Sequence, residues 1–184
     1  VVVGGSSDLA VNADEIIVAT GAKAKNIPVK GADKAIEAID FLLDNSKAGE
    51  NVVVIGGGLT GCEIAYELYL QGKQPTIVEM KQDLIDVAGV CLANSSYLRD
   101  FFETNKVEVH LETALTEITD KGVSVKDKDG KVFEIPADSV ILSVGYKSAP
   151  VCEKAKNVHI IGDAFKVGNL RTVIWQAWDV AMKL

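Results

Sequence analysis

The 184-residue chain is long enough for one full-sized domain, or one domain plus part of another, and its 48% hydrophobic and 24% charged residues are ordinary for a globular protein. A net charge of -7 argues against a nucleic-acid surface, which needs clustered Lys and Arg, and no apolar run approaches membrane-spanning length. Three widely spaced cysteines, Cys62, Cys91 and Cys152, suit neither a disulfide framework nor a metal or iron–sulfur ligand set, and no signal peptide opens the chain, so a cytoplasmic home is expected.

The first residues, Val1-Val2-Val3, lack a methionine and read as the cut edge of something longer. Residues 14–21 read as a short apolar strand ending in a Thr20-Gly21 turn, followed by a polar loop to about Gly31. Ile36, Ile39, Leu42 and Leu43 recur at helical spacing, which predicts an amphipathic helix over 32–45. A polar linker over 46–51 then leads into Val-Val-Val-Ile-Gly-Gly-Gly-Leu-Thr-Gly at 52–61. This stretch is a buried strand running into Gly56, Gly58 and Gly61 at Gly-x-Gly-x-x-Gly spacing, with Gly57, Leu59 and Thr60 between them.

That motif carries most of the functional information because its context is complete. Gly56 allows the sharp strand-to-helix turn, Gly58 lacks a side chain that would hold a pyrophosphate off the backbone, and Gly61 lets the helix lie close to the strand. The helix N-terminus offers free N–H groups and a positive dipole end to phosphates. Ala65 and Leu68 continue the face of Gly61, and Gln71-Gly72 ends the helix. Residues 76–79 read as the next strand, placing Glu79 about twenty residues beyond the glycines, where a carboxylate accepts hydrogen bonds from an adenosine ribose and repels a 2'-phosphate. NAD(H) is therefore favoured over NADP, with Lys81, two residues on from Glu79, pulling the other way. No Gly-Lys-Ser/Thr follows the glycines, which argues against phosphoryl transfer. Cys62 is expected to pack at the helix start rather than react.

Beyond a loop over 81–89, Tyr97, Leu98, Phe101 and Phe102 form the apolar stripe of a helix over 94–104. Residues 107–111 alternate as a strand, and runs at 115–118, 122–125 and 131–135 follow, separated by Asp-Lys and Asp-Gly turn signals; together these predict a small antiparallel meander. Residues 140–144 form another buried strand ended by Gly145, residues 158–161 a last strand running into Gly162-Asp163-Ala164, and residues 170–184 a closing helix with Val173, Ile174, Ala177 and Val180. His110 and His159 stand alone and read as structural; no metal site and no nucleophile–base set is expected.

With Ala-Thr-Gly at 19–21, Val-Gly-Tyr at 144–146 and Ile-Gly-Asp-Ala at 161–164 added to the glycine loop, the chain resembles the pyridine nucleotide-disulfide oxidoreductase superfamily of flavoproteins with two dinucleotide folds. Gly-Gly-Gly-Leu-Thr-Gly-Cys-Glu at 56–63, Ile-Val-Glu-Met at 77–80 and Trp-Gln-Ala-Trp-Asp-Val-Ala at 175–181 look most like the C-terminal part of the enoate reductase and 2,4-dienoyl-CoA reductase group. The resemblance implies an α/β fold: a three-layer FAD/NAD(P)-binding, Rossmann-like domain with a parallel sheet, helices and a small antiparallel meander. It implies a nucleotide domain over 47–145, between remnants of an FAD domain at 1–46, which includes a linker helix, and at 146–184.

Carried over by motif, residues 56–61 would hold the NAD pyrophosphate, and Glu79, with Met80 and Lys81 beside it, the adenosine ribose. Glu63 would lie toward the nicotinamide, and Gly145 would let the cofactor pass close to the backbone. Thr20, Gly21, Gly162 and Asp163 would belong to the FAD half, with Asp163 as a turn residue and helix N-cap being the bland alternative. The chain has one Gly-x-Gly-x-x-Gly, whereas this group has a second for FAD; Val-Gly-Gly-Ser-Ser at 3–7 is no substitute. It is therefore expected to be a fragment, inactive alone. Its partners would be small-molecule cofactors and the missing N-terminal domains of the same polypeptide, with FMN and an iron–sulfur cluster in those missing regions. Its parent would pass a hydride from NADH to FAD and reduce an activated C=C bond. A thioredoxin-reductase-like enzyme and a non-catalytic nucleotide-binding module are the alternatives; the substrate and oligomeric state are not legible.

Overall fold

The computed structural model describes residues 13–87 and 89–184, so the residues read at 1–7 lie outside it. In chain order the elements are β1 (Ile16–Val18), β2 (Ala22–Ala24), β3 (Ile36–Glu37), α1 (Ala38–Leu43), β4 (Asn51–Ile55), α2 (Leu59–Leu70), β5 (Gln74–Val78), α3 (Leu92–Thr104), β6 (Glu108–His110), β7 (Ala114–Thr119), β8 (Gly122–Lys126), β9 (Val132–Pro136), β10 (Ser139–Leu142), β11 (Tyr146–Ser148), β12 (Val158–Ile160) and α4 (Leu170–Ala181). They fall into two units, one of residues 26–145 and one joining residues up to Lys25 with Tyr146–Leu184.

In the first unit a five-stranded parallel sheet has the order β3-β10-β4-β5-β6. β4 carries four consecutive buried residues because a parallel strand is covered on both faces. Val52, Val54, Ile77 and Ile141 face a helical layer supplied by Phe41 of α1, Ile64, Ala65 and Leu68 of α2, and Leu98 and Phe102 of α3. Val53, Ile55, Val78, Val140 and Leu142 face the antiparallel meander β7-β8-β9, through Ile118, Val123, Val125 and Ile135. The result is the three-layer α/β, Rossmann-like arrangement expected, with period-two alternation of the strands dividing the core between its two sides.

Two elements differ from the sequence reading. Residues 107–111 do not join the meander: β6 pairs in parallel with β5, extending the main sheet. Residues 32–45 are not one helix. A 3-10 turn at Ala32–Lys34 is followed by β3, in which Ile36 pairs with Ile141, and α1 begins only at Ala38. Recruiting Ile36 into the sheet resets the helical register, so Ala38 and Phe41 point inward while Ile39, Leu42 and Leu43 are exposed.

Residues 26–46, grouped by sequence with the flavin side, thus supply a strand and a helix to the nucleotide-type sheet. α2 ends in a Schellman arrangement, Lys73 N–H donating to Leu68 O at 3.0 Å and Gly72 N–H to Tyr69 O at 2.9 Å, with Gly72 in the left-handed region.

In the second unit β1 pairs in parallel with β12, and β2 antiparallel with β11. α4 is capped by Asn169, whose side chain accepts from Thr172 N–H while the Thr172 hydroxyl accepts from Asn169 N–H. Asp163 is thus not the cap of this helix; it lies in a 3-10 turn at Gly162–Ala164. No residue of α4 is buried, and Ile174 is 65% exposed.

Candidate functional site

The Gly-rich loop sits at the C-terminal end of β4, between β10 on one side and β5 on the other. β4 leads through α2 to β5, whereas β10 comes from much later in the chain, so the strand order reverses at this point. Open α/β sheets bind ligands at such a crevice. Gly56 has φ 106°, and a Cβ there would stand 2.3 Å from Ser143 O at the end of β10. A Cβ on Gly61 would stand 1.9 Å from Gly56 O, so helix and loop touch backbone to backbone. At Gly58 an added Cβ would meet nothing within 4 Å. Gly58 is also the N-cap of α2, and no side chain caps that end. The N–H groups of Leu59, Thr60 and Gly61 have no partner within the helix by position, and no acidic residue stands in its first turn to compete for them.

Glu79 follows β5 directly. Its carboxylate accepts from Gly57 N–H at 2.5 Å through Oε2 and from Lys81 N–H at 2.8 Å through Oε1. Its backbone is fixed by Glu79 N–H donating to His110 O, 2.8 Å, and Thr113 N–H donating to Glu79 O, 2.9 Å. A carboxylate oxygen has more than one lone pair, so each retains accepting capacity for a hydroxyl. Glu79 is half-buried, Met80 is 73% exposed and Glu63 stands on the solvent side of α2. Gly145, φ 89°, ends this unit two residues beyond Ser143.

Beyond Lys81, a strap over 82–87 was not visible as part of the site in the sequence. Leu84 and Ile85 are buried, Leu84 Cδ2 would lie 2.5 Å from a Cβ on Gly57, and Ile85 N–H donates to Gly57 O at 2.7 Å. Ile85 has φ 52°, a conformation a β-branched residue adopts only when its surroundings fix it. Arg99 of α3 supplies that fixation by donating to Leu84 O and pairing with Asp83 at 3.1 Å. Gly57 is therefore held on both its N–H and its C=O.

Cys62 is fully buried, with its thiol directed at Gly57 O, 3.4 Å, and burial pushes its pKa up to about 12. It is packing, as its position predicted, and its thiolate is inaccessible at neutral pH. Cys91 and Cys152 are exposed. Iodoacetamide is expected to alkylate two of the three thiols in the native protein at pH 7 and the third only in denaturant, counted by intact mass.

In the other unit Gly162 N–H donates to Gln176 Oε1 at 2.6 Å, and Asp163 Oδ1 accepts from Gly168 N–H at 3.0 Å. The Thr20 hydroxyl donates to Ala149 O at 3.3 Å, and Gly21 O accepts from Ala149 N–H at the same distance. Gln176 lies in the 175–181 motif, but its bond to Gly162 was not foreseen from the sequence. The two histidines have carboxylate partners, His110 with Glu108 and His159 with Glu15, each at 2.8 Å. A cleft of about 380 Å³ lies among Asn51, Gln74, Thr76, His110 and Phe133 and includes no residue of the glycine loop. Its walls carry the carboxylates Glu108 and Glu134 and no Lys, Arg or helix N-terminus. Among the described residues no helix is long and apolar enough to cross a membrane.

An uncapped helix end, a glycine turn against the neighbouring strand and a carboxylate beside it make the arrangement of a dinucleotide-type α/β fold. Residues 2–176 match the pyridine nucleotide-disulphide oxidoreductase family, and the chain belongs to it. It is similar to a cinnamate reductase of Clostridium sporogenes, 40% identical over 178 residues that cover 94% of this chain and 27% of that protein. An NADH oxidase of Thermoanaerobacter brockii is 33% identical over 190 residues, 95% of this chain and 28% of that one. Among solved structures a 2-naphthoyl-CoA reductase in complex with 2-naphthoyl-CoA superposes with TM-score 0.82 at 27% identity, covering 93% of this chain and 27% of the other. The chain thus spans little more than a quarter of the length of these relatives.

Proposed function

We propose that this chain carries the NADH-binding part of a flavin-dependent oxidoreductase whose complete form reduces an activated C=C bond. The observation that carries the reading is the open approach at Gly58 to the uncapped N-terminus of α2, with Glu79 closing one side. In this reading residues 56–61 hold the pyrophosphate through the N–H groups of Leu59, Thr60 and Gly61. Glu79 accepts from the ribose hydroxyls, Met80 and Lys81 flank it, and Glu63 and Gly145 border the nicotinamide end.

Residues 56–61 and Glu79 would hold NADH, and the chemistry that NADH and FAD would supply when bound is hydride donation and acceptance. The residues of this chain contribute binding and orientation, and no proton has to move at any of them. Thr20, Gly21, Gly162 and Asp163 are assigned to the FAD half, residues 47–145 to the NAD domain with β3 and α1 as its edge. FMN and an iron–sulfur cluster are assigned to polypeptide beyond this chain. Reduction of a C=C bond is supported by the names of two relatives, the cinnamate reductase and the 2-naphthoyl-CoA reductase.

Calorimetric titration tests the assignment. NADH and ADP-ribose are expected to bind one per chain with similar affinity, because the contacts are to pyrophosphate and adenosine ribose. Inorganic pyrophosphate binding as tightly as ADP-ribose would show that the site reads phosphate alone, and failure of both NADH and ADP-ribose to bind would sink the proposal.

A further inference from the structure

The ammonium of Lys81 stands on the residue whose backbone N–H already holds the Glu79 carboxylate, so it lies at the ribose end of the proposed site. By charge alone it would welcome a 2'-phosphate there and work against Glu79. In the structure that ammonium is taken up by Asp86. Lys81 Nζ donates to Asp86 O at 2.5 Å and lies 3.3 Å from Asp86 Oδ2, at the other end of the strap. Asp86 is presented there because the strap between them is pinned: Ile85 N–H is bonded to Gly57 O, and Leu84 O and Asp83 are held by Arg99.

We propose that Asp86 is a positioning residue for cofactor choice: by pairing with the Lys81 ammonium, it keeps Glu79 as the effective charge at the ribose and biases the site toward NADH over NADPH. The inference rests on the site reading given above. Both side chains are more than half exposed, so the tether is a surface ion pair and its effect is modest.

The experiment measures dissociation constants of NADH and NADPH on the whole 184-residue chain by calorimetry. Asp86→Asn keeps the shape and removes the charge and Asp86→Ala removes both; each leaves the Lys81 Nζ bond to Asp86 O in place, so the pair reads the carboxylate charge alone. Each is expected to lower the ratio Kd(NADPH)/Kd(NADH) by about two- to fivefold, the range an exposed ion pair supplies. Adding Lys81→Met to either variant is expected to restore the ratio, and Asp86→Glu to stay near the wild-type value. An unchanged ratio in both single variants overturns the inference, as does a gain that persists once Lys81 is gone, since Asp86 would then act by its own charge. If the wild-type chain binds neither NADH nor ADP-ribose, the site reading itself is wrong and this inference falls with it; NADH binding with an unchanged ratio sinks the inference alone.

Discussion

Gly61→Ala is expected to raise the NADH dissociation constant by more than about 30-fold and to lower unfolding stability by about 1–3 kcal/mol. One added methyl has this much effect because of where it would stand, 1.9 Å from Gly56 O and 3.1 Å from Gly56 C. Neither neighbour is a side chain that can rotate away. Gly56 is fixed by its N–H bond to Val78 O at 2.8 Å and by its approach to Ser143. Relief requires α2 to move off β4, which displaces the N–H groups of its first turn from the loop they serve. Urea unfolding and NADH titration of the same sample read the two effects. Wild-type affinity in the variant would mean that the helix end is not the phosphate site.

Glu79→Ala is the second large change. It removes the acceptor of two backbone N–H groups, of which Gly57 N–H lies in a buried residue, together with the acceptor proposed for the ribose. Hydrogen bonds to a charged group are each worth about 1.5–3 kcal/mol. Losing one such bond to the ribose weakens NADH by about tenfold or more, and slackening of the Gly57 turn adds to it. NADPH is expected to lose less, because a repelling carboxylate disappears at the same time. Equal losses for the two nucleotides would show that Glu79 only shapes the loop.

The part of this molecule legible in its sequence is the part governed by short-range rules. The run of branched residues at 52–55, the glycine spacing and the period of Ala65 and Leu68 fixed β4, the turn and α2 without knowledge of the rest. Asp-Gly at 129–130 marked the β8–β9 hairpin in the same way.

What was not legible depends on partners distant in sequence. The alternation of residues 107–111 identifies a strand but not its neighbour, and the neighbour is β5 rather than the adjoining meander. Ile36 reads as a helix residue until β10, a hundred residues later, draws it into the sheet. The strap is the clearest instance at the site: positive φ at Ile85 follows from Arg99, Leu84 and Gly57 acting together, and no local signal announces it.

In the closing helix read from Val173, Ile174, Ala177 and Val180, periodicity gave the helix but not its burial: Val173 and Val180 are half-buried while Ile174 and Ala177 are exposed.

The most direct test of the central claim is residue-resolved: amide chemical shifts of the 15N-labelled chain during titration with NADH. The largest changes are expected on residues 56–61 and on Glu79 and Lys81, with ADP-ribose reproducing them. Shifts confined to the cleft around Gln74, Thr76 and His110, with the glycine loop unmoved, would contradict that claim.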